Sequence, residues 1–276
     1  MKLKIIMLSI LITATMISCS SNDNNNTSSE ENILYLKSYK SNTAPTPGYY
    51  DSNYQYNNGY LTTANGFTPF VGTYQYDTFG KLLNKNSNGI VYNYQYNNES
   101  KLTKQIEIGT NNNVVLTYNL NKINITKTYE VVGGTMYSEL SELEIDNSGR
   151  IIKFKNLTPT TSYEFMSQEY SYDNNGNILQ VKSKENNYND PDFTVNYIYD
   201  NNKNPFYYSY LKLYKSIYYL NCRKGIQNYK HLGFTPNNMI QYGSENYVHT
   251  YNNSGFPIKW IKTTNNGLTE YNLEYY

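Results

Sequence analysis

Reactive chemistry has few places to reside in this chain: two histidines, His231 and His249, two cysteines, Cys19 and Cys222, and the acidic stretch SELSELEID at residues 138–146. A zinc site needs closely spaced ligands, as in His-x-x-x-His or Cys-x-x-Cys. His231 and His249 stand eighteen residues apart and neither cysteine has such a partner, so each histidine reads as structural. Glycosidases need two carboxylates flanking the scissile bond. On a strand Glu142, Glu144 and Asp146 share a face, with Glu139 just before them, which is the pattern of a solvated edge. Neither a Gly-x-Ser-x-Gly elbow nor a phosphate loop occurs. The run DNNGN from Asp173 places Gly176 fourth, whereas an EF-hand loop has its Gly sixth and a Glu twelfth. A turn explains it.

What recurs is tyrosine before that turn. YSYDNNGNILQV from Tyr170 has counterparts in YQYDTFGKLLNK from Tyr74, YQYNNESKLTKQ from Tyr94, LEIDNSGRIIKF from Leu143, YIYDNNKNPFYY from Tyr197 and HTYNNSGFPIKW from His249. A shorter copy, YQYNNGYL, starts at Tyr54, and YNLEYY ends the chain. The aligned positions 77, 97, 146, 173, 200 and 252 leave two long gaps that fit degenerate copies near LTYNLNKINITK and MIQYGSENY. A repeat of roughly 25 residues marks stacked supersecondary units.

Each unit reads as a β-hairpin. Asp77, Asp146, Asp173, Asp200 and Asn252 can bond their own backbone two residues on, and Gly80, Gly149, Gly176 and Gly255 supply the positive φ of a tight reversal. After the Gly, the third and fifth positions are apolar around a polar fourth, as in Leu179, Gln180 and Val181, or Ile258, Lys259 and Trp260. Period-two alternation then places those apolar positions on one face. The paired aromatics Tyr74 and Tyr76, Tyr94 and Tyr96, Tyr170 and Tyr172, Tyr197 and Tyr199, and Tyr251 form rows across the sheet, a candidate surface for stacking on sugars or protein. Packing of the sheet itself is the competing role for each ring.

Composition agrees. Charged residues are only 16% while Tyr numbers 34 and Asn 44, so polar surface comes from phenols and amides. Tyr suits pleated strands and Asn suits turns, which points to an all-β chain. A net charge of +1 offers no field for a phosphate polymer, and nucleic acid is not an expected partner.

The start MKLKIIMLSILITATMISC carries two lysines and an apolar run over residues 5–17, shorter than the roughly 20 residues of a membrane span. Residues 1–18 read as a signal peptide. MISC resembles a bacterial lipobox, with Met16 in place of the usual Leu, which makes Cys19 the acylated mature N-terminus. An ordinary signal peptide, or a Cys19–Cys222 disulfide, is the alternative, but the polar SSNDNNNTSSEEN that follows suits a tether. Cys222 is then a lone, buried thiol. Several acyl chains anchor stably where one is marginal.

The phrase Y-x-Y-D-x-x-G-x-I/L resembles the tyrosine-aspartate, or Rhs-type, repeat. With the lipobox, YDNNKNPF from Tyr199, FTPNNMIQY, YNNSGFPIKW and the closing LEYY, in that order, the chain resembles the YD-repeat lipoproteins of Bacteroidetes. The resemblance covers residues from about 50 to the end and names no activity. It implies an outer-membrane lipoprotein, facing the periplasm or displayed on the cell surface.

The expected fold is a curled, all-antiparallel β-meander: residues 1–18 signal, 19–48 acylated Cys and tether, 49–276 one β domain. The aromatic insertion at residues 206–221 interrupts it, as a short helix or an irregular plug. The expected function is a non-enzymatic binding or structural module, for glycan or an envelope protein, with no cofactor or metal. An enzyme on envelope polysaccharide and a shell or carrier of a toxin system are the alternatives.

Overall fold

The computed structural model describes residues 34–41, 51–66, 71–131, 133–161, 163–185, 192–222, 235–265 and 267–276; Cys19 and His231 lie outside them. Among these residues eighteen strands follow one another. The first six are β1 (Leu36–Ser41), β2 (Ser52–Asn57), β3 (Tyr60–Gly66), β4 (Gly72–Tyr76), β5 (Leu82–Ser87) and β6 (Ile90–Tyr96). Next come β7 (Leu102–Glu107), β8 (Asn113–Asn119), β9 (Lys122–Glu130), β10 (Met136–Ile145), β11 (Ile151–Leu157) and β12 (Glu164–Tyr172). Then follow β13 (Ile178–Glu185), β14 (Phe193–Lys203), the helix α1 (Pro205–Asn221), β15 (Asn237–Tyr242), β16 (Glu245–Tyr251), β17 (Pro257–Thr264) and β18 (Gly267–Tyr275).

Every strand pairs antiparallel with its neighbours in sequence, and β18 returns to pair with β1, Tyr39 opposite Leu273 and Ser41 opposite Tyr271. The expected open curl is therefore a closed up-and-down barrel. Closure depends on β1, which lies inside the stretch expected to be tether over residues 19–48. Its inward positions include the small, buried Ser38 and Ser41, so its LKSYKS lacks the apolar alternation that advertises a strand.

Five of the hairpin turns share one geometry. Asp173 Oδ1 accepts from Asn177 N at 2.8 Å, Asp173 N donates to the Asn177 carbonyl, and Gly176 N closes on the Asp173 carbonyl. Asp77, Asn97, Asp146 and Asn252 repeat the pattern. Gly176 sits at φ 89°, and in the copy without Gly, Ser100 adopts φ 63°. Asp200 differs, because a helix follows it: its Oδ1 accepts from Asn202 N and Asn238 N.

Beyond the turn, strict alternation fails, because six hairpins carry a β-bulge at the same place. Tyr172 faces Ile178 but Ser171 faces Gln180, which leaves Leu179 unpaired. Leu83, Ile152 and Ile258 occupy the same bulged position. An extra residue shifts the face by one. Hence Ile178 and Val181 point inward while Leu179 is 42% exposed, and Trp260 is buried while Ile258 is exposed.

Between hairpins the ladder stops short near this end of the barrel, and tyrosine takes over. Pairing of β11 with β12 reaches only Lys153 and Glu169, and the orphaned Ile151 carbonyl accepts the phenol of Tyr172 at 2.6 Å. Tyr76 donates likewise to the Leu61 carbonyl, Tyr96 to Leu82, Tyr118 to Leu102 and Tyr275 to Pro257, at 2.6–2.9 Å. The copy without tyrosine has the same logic. Where Ile145 fills the tyrosine slot, the backbone ladder runs on, through Lys122–Glu144 pairing and an Ile145 N to Asn121 O bond.

The insertion at residues 206–221 is a helix and not an irregular plug, kinked at Ile217, where φ is −130° and ψ is 19°. Asn204 caps it by accepting from Phe206 N, and Pro205 opens it. Phe206, Tyr210, Leu213, Ile217 and Leu220 recur every three or four residues and are almost fully buried. They lie inside the ring: Phe206 meets Tyr39 and Trp260, Tyr210 meets Tyr54, and Tyr219 meets Tyr118 and donates to the Gly149 carbonyl. At about 1.5–3 kcal/mol per large buried side chain, this face holds the helix across the end that carries the Asp turns. The gap between positions 200 and 252 thus contains α1; MIQYGSENY is the β15–β16 hairpin, which turns at the opposite end.

The outer wall is ionic over β9 to β12. Lys122 reaches Glu142 and Glu144, Lys155 reaches Glu142 and Glu164, and Lys153 reaches Glu169, all on outward positions of β9 to β12. Such exposed pairs add little stability, but they define what the wall can face. A lipid-facing strand loses about 2–4 kcal/mol for each Lys near mid-bilayer. The stretch of wall from β9 to β12 therefore suits water, whereas β14 and β16 turn Ile198 and Val248 outward.

Tyr172→Phe should lower stability by about 1–2 kcal/mol, since it leaves the Ile151 carbonyl orphaned. Urea unfolding checks this, with exposed Tyr163→Phe within ~0.5 kcal/mol of the parent.

Candidate functional site

The expected tyrosine surface is an inner lining. Tyr74, Tyr94, Tyr170 and Tyr197, the first of each pair, are 4–8% exposed and face the lumen. Tyr76, Tyr96 and Tyr172 are the braces, partly buried at the barrel's capped end. Tyr199 stacks beside Tyr197, and Tyr251 donates to the Asp200 carboxylate. The rows therefore do not form an exposed stacking platform, because the closed ring turns their face inward. The acidic stretch stays outside it: Glu142 and Glu144 are ion-paired on the outer wall, and Asp146 holds Arg150 Nε at 2.7 Å. Cys222 is buried at the helix C-terminus, and burial pushes its thiol pKa up.

One part of the lining is different. His249 stands in the slot of a first tyrosine, directly across from Trp260, with ring centroids 5.7 Å apart. Tyr271 packs edge-on against Trp260 and lies flat against Tyr39 at 5.0 Å. These rings wall a cavity of about 90 Å³, completed by Met239, Tyr247 and Lys262, with Asn204 and Asn238 at the helix N-terminus.

Its polar groups divide sharply. Lys262 is held by Glu245 at 3.0 Å, and Tyr247 donates to the other carboxylate oxygen at 2.7 Å, so charge at the rim is neutralised. The His249 ring bonds the Met239 carbonyl through Nε2 at 3.0 Å. That carbonyl only accepts, so Nε2 carries the proton and Nδ1 presents a lone pair. Burial pushes the His249 pKa down, against the weaker pull of the Met239 carbonyl and Asp200, which keeps the ring neutral. His249 Nδ1 and Trp260 Nε1 are both buried without a hydrogen-bond partner among the described residues. Neutral side chains that bind by stacking and hydrogen bonding are what this site offers.

A second hollow, of about 120 Å³, lies among Tyr92, Gln105, Glu107, Asn112 and Lys127. Its polar groups are engaged: Asn112 bonds Glu107 and the Glu130 amide, and Lys127 pairs with Glu139. Nearby, Lys85 projects inward between Tyr74 and Tyr92, its ammonium 5.6 Å from the centre of the Tyr74 ring. Burial pulls its pKa down to about 8.

Trp260 and His249 were visible as departures from the repeat, and the bulge determines that Trp260 faces in. Tyr39 and Tyr271 carried no such signal, because they meet only when β1 closes the ring.

Lys85 and the tyrosines set opposite slopes of stability with pH. Between pH about 8 and 10.4 the unfolded chain holds a proton on Lys85 that the folded barrel has released, so stability rises with pH. Tyr118 is pushed up to about 12, chiefly by burial, so above pH about 10 the unfolded chain ionises first and stability falls. Many other tyrosines are raised in the same way, Tyr76, Tyr172 and Tyr197 among them, so thermal melts across pH 7–11 should peak near pH ~9, and Lys85→Met should remove the rise while keeping the fall.

No family model and no curated protein matches the chain. Among solved structures, it is similar to a porin-like protein from Bacteroides uniformis ATCC 8492, at 12% identity over 68% of this chain and 90% of the other, with a TM-score of 0.34. It is also similar to a porin-like protein from Bacteroides vulgatus ATCC 8482, at 12% identity over 88% of this chain and 99% of the other, with a TM-score of 0.43.

Proposed function

We propose that this chain is a lipid-anchored envelope protein whose barrel is a non-enzymatic binding module for glycan. The observation that carries the reading is the aromatic cavity at Trp260, which holds unpartnered neutral hydrogen-bonding groups inside a rigid ring of strands. Sugars combine apolar faces with hydroxyls, and such walls complement both. Acidic side chains favour the same reading: Glu142, Glu144 and Asp146 are committed to cations away from the lumen, and Glu245 to Lys262. A toxin shell fits less well, because α1 occupies lumen space that cargo would need.

Membrane association in this proposal comes from acylated Cys19, since the wall of β9 to β12 is charged. The chain enters the barrel through Leu34 and Tyr35 at the end crossed by α1, where Tyr35 lies against Gly59 of the β2–β3 turn. At ~3.5 Å per residue, residues 19–34 reach at most roughly 50 Å. The anchor then holds that end toward the bilayer, and Phe79 and Leu120, 84% and 98% exposed on its turns, are placed to touch it. An outer-membrane location, at either face, belongs to this proposal.

Fatty-acid labelling of cells should mark the parent protein and not Cys19→Ala. The purified protein should retain sugars on a glycan array, and Trp260→Ala should lose at least about ten-fold in signal. Label retained by Cys19→Ala refutes the anchor, and an empty array refutes the glycan module.

A further inference from the structure

Resting on the glycan reading, we propose that the Trp260–His249 niche receives the acetamido group of an N-acetylated sugar. Trp260 offers one N–H and His249 Nδ1 one lone pair, from cross-strand neighbours on the same inner face. Trp260 is 9% exposed, and among the described residues no group satisfies its indole nitrogen. Leaving each of two such groups dry costs about 1–3 kcal/mol, so the niche is built for an occupant that accepts once and donates once.

Size and polarity narrow that occupant. A volume of about 90 Å³ corresponds to roughly three waters, more than a single hydroxyl fills and less than a pyranose ring needs. A secondary amide supplies a carbonyl for Trp260 Nε1 and an N–H for His249 Nδ1, while its methyl packs against apolar Met239 and the indole. A carboxylate is disfavoured, because Lys262 already answers Glu245. The sugar ring remains outside the niche, beside the Tyr39–Tyr271 stack.

Trp260 is the chain's single tryptophan, so its emission reports this niche alone. Full-length protein in detergent is titrated with N-acetylglucosamine, glucosamine and glucose, with calorimetry in parallel. The expected result is a saturable change in emission with N-acetylglucosamine, at a concentration at least about ten-fold below that for the other two sugars. His249→Phe, which keeps an aromatic ring but removes the acceptor together with the Nε2 bond to the Met239 carbonyl, should weaken N-acetylglucosamine about ten-fold in a protein that still melts cooperatively. Equal response to all three sugars, or undiminished binding by a folded His249→Phe, overturns the acetamido niche and leaves the glycan module standing. Heat of N-acetylglucosamine binding without a change in Trp260 emission does the same. No binding of any sugar by either method overturns both.

Discussion

Carbonyl groups left over where neighbouring hairpins part are the constraint on which this barrel depends. Backbone ladders within a hairpin run to the turn, but those between hairpins stop two residues earlier, as at Lys153–Glu169 and Lys259–Asn272. A buried carbonyl without a donor costs about as much as the hydrogen bond it lacks. The phenol of the next tyrosine meets that need at Leu61, Leu82, Leu102, Ile151 and Pro257. Phenylalanine has the bulk without the donor, and serine the donor without the reach. Tyrosine is thus what the spacing of the staves selects at these five places.

Parting of the staves also makes room for the helix. Eighteen strands enclose a space wide enough for a channel, and an apolar lining without a filling would expose itself to water. The helix presents Phe206, Tyr210 and Leu213 to that lining, while Ser209 donates nothing bulky and instead accepts the Leu36 amide. The small Ser38 and Ser41 of β1 belong to the same arrangement, since a stave beside the helix has little space for large side chains. Over β9 to β12 burial is therefore inverted relative to a barrel that faces lipid: Ile123, Ile125, Leu143 and Phe154 are inside, and Lys–Glu pairs are outside.

The hairpin unit was legible in the sequence because its determinants are local. Asp173 and Gly176 dictate a turn through bonds spanning four residues, and the flanking Tyr and Ile dictate strands. Closure was not legible, because it joins β1 to β18 across nearly the whole chain and uses a stave without apolar alternation. Nor was the bulge, which one sequence cannot distinguish from a regular strand: Ile258 and Trp260 satisfy a period of two, yet they occupy opposite faces. The niche inherits both difficulties. Trp260 is brought inward by the bulge, and Tyr39 is brought beside it by closure.

Repetition fixes what most lumenal positions do, and this gives meaning to the positions that depart from it. A tyrosine in the first slot packs, and in the second slot Tyr76, Tyr96, Tyr118, Tyr172 and Tyr275 brace carbonyls, so these rings cannot acquire a ligand without loss of the wall. His249 breaks the first slot, and Trp260 and Lys85 stand where Val181 and Phe154 fill the equivalent inward place in other hairpins. Two of these three departures, His249 and Trp260, face each other across one strand pair with their remaining hydrogen-bonding capacity unspent. A barrel that needed only to stand could have repeated tyrosine and valine there. Leaving a donor and an acceptor dry in an aromatic recess opposes stability, and binding is the process that recovers the loss.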